Sequence, residues 1–166
     1  LRIMAHLSGD ENMIEAFNKG QDIHSATASK IFKVPLENVD QNMRRKAKTA
    51  NFGIIYGITP FGLSERLAIP STEAKDLIDG YFETFSGVRK YMDESIENAR
   101  EHGYVKTVFG RKRYLPDINS RNATVRGFAE RNAINAPIQG SAADIIKVAM
   151  VRIFNRLKKD NKKSKM

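Results

Sequence analysis

Several residue types are absent or scarce in this sequence, and each absence narrows the class of protein. The 166 residues include no cysteine and no tryptophan, and only five prolines. Without cysteine the chain forms neither disulfides nor thiolate metal sites. No apolar run approaches the roughly 18 residues that a membrane-spanning helix needs. We therefore expect neither a disulfide-stabilised protein nor a membrane partner. The hydrophobic fraction of 41% is enough for a packed core.

Positive charge is concentrated in blocks of the chain, and the net charge is +9. Basic residues outnumber acidic ones by 5 to 1 in residues 41–66, by 8 to 3 in 100–131 and by 8 to 1 in 147–166. Residues 67–99 reverse this balance, with 7 acidic and 3 basic side chains. If the basic blocks share a surface, a polyanion is the natural partner, because neutralising phosphates releases counterions. The alternative is that these charges only keep the protein soluble.

The spacing of apolar residues predicts a mainly α-helical fold with one β-hairpin. Helices are predicted at about 10–19, 23–32, 42–56, 60–67, 71–85, 88–101, 122–135 and 141–158. Ser71 is predicted to cap its helix, and Pro137 is predicted to interrupt the last helical region. Two β-rich runs flank Phe109 and Gly110, which predicts a hairpin with Gly110 at its turn.

One predicted helix carries four notable side chains at every fourth position of RRKAKTANFGIIYG, residues 44–57. They are Arg44, Lys48, Phe52 and Tyr56. Each step of four residues advances only about 40°, so all four lie on one broad face that rises roughly 18 Å. Two cations suit a triphosphate, and two aromatic rings suit a sugar and a base. We label the helix predicted at about 42–56 α4, and we call these four residues the α4 row.

The competing interpretation of this helix is an ordinary amphipathic one. In that case Phe52 and Tyr56 share a buried stripe with Ile54 and Ile55, and the cations are merely exposed. Helical geometry alone permits both arrangements, so the periodicity leaves the choice open.

The same segment resembles the motif B helix of family A DNA polymerases, whose signature is R-x3-K-x7-YG. The likeness extends to LRIMAHLS at residues 1–8, similar to the continuation of motif A, and to DIHSATA at 22–28. It also includes NAINAPIQGSAADIIK at 132–147, similar to the segment before motif C. In order and spacing the resemblance runs from Leu1 to about Lys158. Both chain ends look cut, so we expect residues 1–166 to be a single fragment of a longer polymerase.

The resemblance implies a helical fingers subdomain with flanking palm segments. The motif B helix then covers about 42–57, the β-hairpin about 104–115, and the helix before motif C about 122–158. The implied nucleotide-binding residues are His24, Arg44, Lys48, Phe52 and Tyr56.

Within this implied site, Arg44, Lys48 and His24 contact the triphosphate. Arg44 and Lys48 are also the implied catalytic residues, with Lys48 as proton donor to the leaving pyrophosphate. Phe52 contacts the sugar, and a phenylalanine there goes with discrimination against dideoxynucleotides. Tyr56 lies by the templating base and moves as the helix closes over a correct pair, with Gly57 providing flexibility.

A second implied set contacts template-primer DNA and comprises Tyr56, Thr59, Phe61, Arg131, Asn135 and Gln139. The last three form a polar row suited to the minor groove, whose acceptors are similar for every base pair. From the residues alone, an ordinary polar helix edge with Gln139 capping a turn before Gly140 is the favoured interpretation, and the shared INAPIQG context of the resemblance reverses that preference. The cluster Arg111, Lys112 and Arg113 is expected to meet phosphates, or else to form a solvated turn.

The implied function is template-directed DNA synthesis, in which a DNA-directed DNA polymerase transfers a nucleotide from dNTP to the primer 3′-OH. It implies DNA replication and repair in the bacterial cytoplasm, at the nucleoid. Two Mg²⁺ ions are implied, held by motif A and motif C carboxylates that fall outside this chain. We therefore expect no metal ligand here and no activity of the isolated fragment, which binds dNTP and template-primer. Apolar surface normally covered by the palm is expected to promote self-association.

Two other functions remain open from the residues alone. One is a stand-alone basic helical module that binds DNA or RNA without any link to synthesis. The other is a structural scaffold without a ligand.

Overall fold

The computed structural model describes residues 1–160 and residue 164. Its helices are α1 Arg2–Ser8, α2 Glu11–Asn18, α3 Ile23–Phe32, α4 Gln41–Ile55, α5 Pro60–Leu67, α6 Ser71–Thr84, α7 Ser86–His102 and α8 Ala123–Lys159, with a 3-10 turn at Leu36–Asn38. Two antiparallel strands, β1 Tyr104–Lys106 and β2 Lys112–Tyr114, form a hairpin. The predicted mainly α fold with one hairpin is confirmed. Part of the predicted basic block at 147–166 lies outside the described residues.

Aspartates begin three of the first four helices. The carboxylates of Asp10, Asp22 and Asp40 each accept a hydrogen bond from the backbone N–H three residues later. Such caps satisfy N–H groups that have no partner within the helix. Asp10 is only 4% exposed, and its second oxygen accepts from the N–H of Gly87 at 2.9 Å. One buried carboxylate therefore ties the start of α2 to the start of α7.

The core consists of three apolar clusters, of which the largest supports α4. In this cluster Ile54 packs with Met4 and Met13 from α1 and α2, and with Tyr81 and Phe85 from the α6–α7 region. A second cluster joins the hairpin to α7 and α8, and a third joins α5 to α6. Ala47 and Ala50 are fully buried. Alanine has a short side chain, which suits close packing of α4 against α3, its principal neighbour.

The predicted interruption at Pro137 is wrong, because α8 runs unbroken through it. Proline removes one backbone donor from the helix ladder. In a helix of 37 residues the remaining hydrogen bonds and the burial of the proline maintain the helix. The two predicted helices at 122–135 and 141–158 are therefore one element, and the predicted outer bounds of about 122–158 agree with it.

Two smaller expectations also differ from the structure. Pro70, and not Ser71, occupies the capping position of α6, and Ser71 makes no capping hydrogen bond. Its hydroxyl instead donates to the Ser64 hydroxyl at 3.4 Å. The helix α1 was not predicted. By contrast, Gly110 lies at the hairpin turn with φ of 82°, as expected.

Candidate nucleotide and nucleic-acid site

The outer surface of α4 presents the α4 row. Phe52 and Tyr56 are 42% and 51% exposed, whereas Ile54 and Ile55 are 2% and 5% exposed. The competing interpretation, in which all four share a buried stripe, is therefore wrong. The apolar stripe that packs on the core consists of other residues of the helix, and the two rings lie free on its outer side.

At the N-terminal end of the row, Arg44 contacts a carboxylate of the neighbouring helix. Its Nε donates to Asp22 Oδ2 at 2.7 Å, and its Nη2 donates to Asp22 Oδ1 at 3.3 Å. This hydrogen-bonded guanidinium holds the pKa of Asp22 well below its usual range. Both side chains are about 40% exposed, so the pair is open to solvent. The contact fixes one edge of the guanidinium and leaves Nη1 without a partner among the described residues.

Lys48 lies one turn further along α4 and is exposed. Together with Arg44 and Arg45 it lines an open cavity of about 480 Å³ on the outer face of α4. Three cations thus surround one solvent-filled space near the positive end of the helix dipole. This arrangement favours a multiply charged anion.

His24 of α3 lies beside these cations. Its ring is 5.6 Å from the Phe52 ring, centroid to centroid. Its pKa is lowered, first by burial and further by Arg44 and Lys48, although Asp22 acts in the opposite direction. Near neutral pH the imidazole is therefore uncharged. The structure thus places His24 beside Phe52 of the α4 row.

The C-terminal end of the row meets α8. Gln139 donates from Nε2 to the hydroxyl of Tyr56 at 3.1 Å. Gly57 ends α4 in the left-handed region with φ of 68°. A Cβ atom built on Gly57 lies 2.7 Å from Cγ of Arg131, so only glycine lets this turn approach α8 so closely. The α4 row and the polar row of α8 therefore form one continuous surface.

The polar row of α8 continues toward the hairpin. Asn135 and Gln139 line a cavity of about 380 Å³ with the basic residues Arg111, Lys112 and Arg113. The side-chain oxygen of Asn135 is buried and has no hydrogen-bond partner within residues 1–160 and 164. Arg131 lies one turn before Asn135 and is exposed.

Thr59 and Phe61 stand at the start of α5, just beyond the row. The Thr59 hydroxyl accepts from the N–H of Gly62 at 3.1 Å and so caps α5. Phe61 is 69% exposed. The structure thus gives Thr59 a local structural contact and leaves the Phe61 ring exposed on the surface.

Three residues of this site were missed by sequence reasoning. Asp22 enters the sequence analysis only as part of the segment DIHSATA, and its pairing with Arg44 was not expected. Thr27 and Asn51 are both 0% exposed and connect α3 to α4 beneath His24. A polar residue among the apolar positions of a helix, as Asn51 is, was the available signal.

Within residues 1–160 and 164, no three His, Asp or Glu side chains lie close enough to hold a metal ion together. Among the same residues, no helix is both long and apolar enough to span a membrane.

Fold and site together define a helical unit with cations and aromatic rings on one helix, joined to a polar row on another. The family model for DNA polymerase family A matches residues 1–166, and the chain belongs to this family.

Sequence relatives support the family assignment. The chain is 54% identical to DNA polymerase I of Streptococcus pneumoniae over 167 residues and 52% identical to that of Geobacillus stearothermophilus over 166, covering 100% of this chain in both cases. It is 54% identical to the thermostable DNA polymerase I of Thermus thermophilus over 158 residues, or 95% of this chain. The chain spans 19% of the length of each of these relatives.

A solved structure shares the fold. The POL domain of Pol1 from M. smegmatis, in complex with DNA primer-template and dNTP, superimposes with a TM-score of 0.92 at 50% identity. The match covers 96% of this chain and 28% of that one.

Proposed function

We propose that this chain is the nucleotide-gripping part of a DNA-directed DNA polymerase, binding the incoming dNTP and the template-primer. The observation that carries the proposal is the exposed α4 row, with cations at one end and rings at the other. Polymerase relatives at 52 to 54% identity and a solved neighbour bound to DNA and dNTP support it. We place the activity in the bacterial cytoplasm at the nucleoid, in DNA replication and repair.

In this proposal the triphosphate occupies the basic cavity on α4. The free edge of the Arg44 guanidinium and the ammonium group of Lys48 bind phosphate oxygens, and His24 donates a third hydrogen bond. Charged donors form the stronger class of hydrogen bond. Lys48 also protonates the leaving pyrophosphate, so that it acts where negative charge develops in the transition state.

The rings of the row serve the rest of the nucleotide. Phe52 packs against the sugar, and Tyr56 lies at the templating base. The hydrogen bond from Gln139 holds the Tyr56 ring at the α8 surface. Closure of α4 over a correct base pair breaks this contact and lets the ring move aside. Thr59 and Phe61 then line the path of the template.

The polar row of α8 contacts the minor groove of the newly formed duplex. Arg131, Asn135 and Gln139 offer donors at i, i+4 and i+8, which suit acceptors common to all base pairs. The basic hairpin cluster binds backbone phosphates and fixes the register of the duplex without reading its sequence.

Mg²⁺ stabilises the negative charge of phosphoryl transfer in polymerases. We infer that the two ions bind carboxylates elsewhere in the whole protein. The isolated chain is thus expected to bind weakly and in a salt-sensitive manner. It should incorporate no nucleotide on a primer-template with dNTPs and Mg²⁺. Extension above a mock-purified control would contradict this.

The rival function is a basic helical module that binds any polyanion. Lys48→Ala in the whole polymerase separates the two. If Lys48 grips the triphosphate, the KM for dNTP rises by about tenfold or more, while DNA affinity changes little. The matched control is Lys75→Ala, which removes one charge from an exposed position on α6.

A generic polyanion binder gives a different pattern. There, Lys48→Ala and Lys75→Ala weaken binding of DNA and of dNTP to similar extents, measured by fluorescence anisotropy and steady-state kinetics. That outcome would remove the basis of the proposal.

A further inference from the structure

A buried polar chain connects α3 to α4 directly beneath His24. The Thr27 hydroxyl donates to the Ile23 carbonyl at 2.7 Å. Asn51 Nδ2 lies 3.1 Å from Thr27 Oγ1 and 3.1 Å from His24 Nδ1. Thr27 and Asn51 are both completely buried. Burying an amide is costly unless its hydrogen bonds are made, so this network needs a specific arrangement of donors and acceptors.

The direction of each hydrogen bond in this chain follows from a backbone carbonyl. A threonine hydroxyl has one proton, and Thr27 gives it to the Ile23 carbonyl, which can only accept. Asn51 Oδ1 also lies 3.4 Å from Thr27 Oγ1, but this contact is longer than the 2.7 Å to the Ile23 carbonyl, which takes the single proton. Toward Asn51, Thr27 Oγ1 is therefore an acceptor, and the amide turns its NH₂ group to it at 3.1 Å. The same NH₂ group has a second proton, which is directed to His24 Nδ1.

The consequence for His24 is a fixed tautomer. A nitrogen that accepts a hydrogen bond carries no proton, so neutral His24 must hold its proton on Nε2. Within the described part of the chain, His24 Nε2 has no hydrogen-bond partner, while the ring lies beside Phe52 and near Arg44 and Lys48. The opposite tautomer would turn a lone pair toward a phosphate and repel it.

We propose that Asn51 and Thr27 are positioning residues that lock His24 as the Nε2–H tautomer, so that an uncharged imidazole donates a hydrogen bond to the triphosphate. This rests on the proposed function of the α4 row. The locking itself is a property of the ligand-free chain and can be measured without nucleotide.

The first experiment is long-range ¹H–¹⁵N NMR of the histidine rings of the 166-residue chain at neutral pH. The chain has three histidines. His102 provides an internal reference, because its Nδ1 lies 3.1 Å from the carbonyl of Asn98 and must donate. We expect His24 as Nε2–H and His102 as Nδ1–H in the same spectrum. An Nδ1–H signal for His24 would overturn the proposal.

Variants test the origin of the tautomer. Thr27→Val removes the acceptor that orients the amide, so His24 should become a mixture of tautomers, whereas Thr27→Ser keeps the oxygen and the pure Nε2–H form. Asn51→Asp replaces the donor by an acceptor and should convert neutral His24 to Nδ1–H. Ser64→Ala, which alters a buried hydroxyl between α5 and α6, should leave His24 unchanged. An unchanged tautomer in both Thr27→Val and Asn51→Asp would refute the network.

The functional arm uses the whole polymerase and dNTP kinetics as a function of pH. The charged side chains that act on His24 are Asp22, Arg44 and Lys48. Asn51→Asp adds an anion and raises the pKa of His24. Below that pKa the imidazolium still donates from Nε2, but above it the donor is lost, so the KM for dNTP should rise about tenfold with increasing pH.

Two comparisons separate the possible failures. In a His24→Ala background, Asn51→Asp should cause no further pH-dependent rise in KM, since the effect acts through the imidazole. If Lys48→Ala and His24→Ala leave KM unchanged, the proposed function fails while the NMR result still stands. If Lys48→Ala and His24→Ala raise KM but Asn51→Asp and Thr27→Val do not, the positioning role of Asn51 and Thr27 is refuted while the proposed function stands.

Discussion

At the residue scale, the carboxylate of Asp22 makes two kinds of contact. It caps α3 through the N–H of Ser25 and pairs with Arg44 of α4. The cap is local, whereas the ion pair joins two helices and restrains a cation of the proposed triphosphate site. Because the guanidinium keeps two contacts to Asp22, it is presented with one edge free and little rotational freedom.

The pH dependence of this pair is a first prediction. The pKa of Asp22 is lowered in the folded chain, so its contribution to stability is complete above the unfolded value near 3.8 and declines as the pH falls below it. Asp22→Asn retains the cap, since asparagine caps as well as aspartate. At pH 7 the midpoint of thermal unfolding of Asp22→Asn should be lower than that of the unsubstituted chain by about one or two degrees, because the ion pair is exposed. This difference between the two midpoints should shrink in thermal scans below pH 4. A difference that stays constant down to pH 2 would contradict the stabilising ion pair of Asp22 with Arg44.

Phe52 supplies a second prediction at this scale. The resemblance to family A polymerases implies that phenylalanine here discriminates against dideoxynucleotides. Phe52→Tyr in the whole enzyme should relax that discrimination by about tenfold or more, the size of one hydrogen bond to a charged or polar group. Primer-extension competition between dNTP and ddNTP measures it. Phe128→Tyr, a matched change at another exposed ring, should have no effect. Unchanged selectivity in Phe52→Tyr would refute the sugar contact.

At the scale of elements, α8 connects the proposed duplex-binding row, the hairpin and the end of α4. Two of its glycines differ in what surrounds them. A Cβ on Gly127 meets only the end of Arg131 at 3.5 Å, whereas a Cβ on Gly140 lies 2.6 Å from Cγ2 of Thr107 in the hairpin. The Thr107 hydroxyl accepts from the N–H of Arg111 at 3.2 Å, so this side chain cannot easily turn away. The glycine at position 140 therefore permits the hairpin to dock on the helix.

A matched pair of substitutions tests this docking. Gly127→Ala should stabilise the chain by about 0.5–1 kcal/mol, because alanine is the better helix former. Gly140→Ala should destabilise it by about 1–3 kcal/mol, since the added methyl overpacks against Thr107. Urea unfolding monitored by circular dichroism gives both values. Equal stabilisation by the two substitutions would show that packing of the hairpin on α8 does not depend on the close contact between Gly140 and Thr107.

At the scale of the whole molecule, the second half of α8 is conspicuously apolar on its surface. Large side chains between 37% and 60% exposed are Ile145, Ile146, Val148, Met150, Val151, Ile153 and Phe154. Surfaces of this kind normally pack against another domain or chain. The chain spans 19% of its polymerase relatives, and we propose that the remainder of the polymerase covers this apolar face.

The apolar face of α8 gives a prediction about the isolated chain. Without the remainder of the polymerase, we expect concentration-dependent self-association in sedimentation velocity. Ile146→Lys combined with Phe154→Lys should shift the chain toward monomer, because burying two charges in an apolar contact is unfavourable. Leu36→Lys, a matched change at an exposed position on the 3-10 turn, should not. A monomer at every concentration would contradict the expectation.

The sequence by itself determined α2 to α7 and the face of α4 that carries Arg44, Lys48, Phe52 and Tyr56. These features depend on residues one or two helical turns away in the sequence, and such local interactions can be predicted from the periodicity of apolar residues and from capping residues. The hairpin turn at Gly110 is local in the same sense. The continuity of α8 through Pro137 was not predicted, because burial of Pro137 in the folded chain opposes the local tendency of proline to break a helix.

Only the tertiary structure decided which side of α4 faces outward and which residues meet across helices. The pairing of Asp22 with Arg44, the buried contact of Thr27 with Asn51 beneath His24, and the contact of Gln139 with Tyr56 join residues 22 to 83 positions apart. The periodicity of the sequence does not predict such pairs. They form when separate helices pack their apolar faces together, which brings polar side chains of different helices within hydrogen-bonding distance.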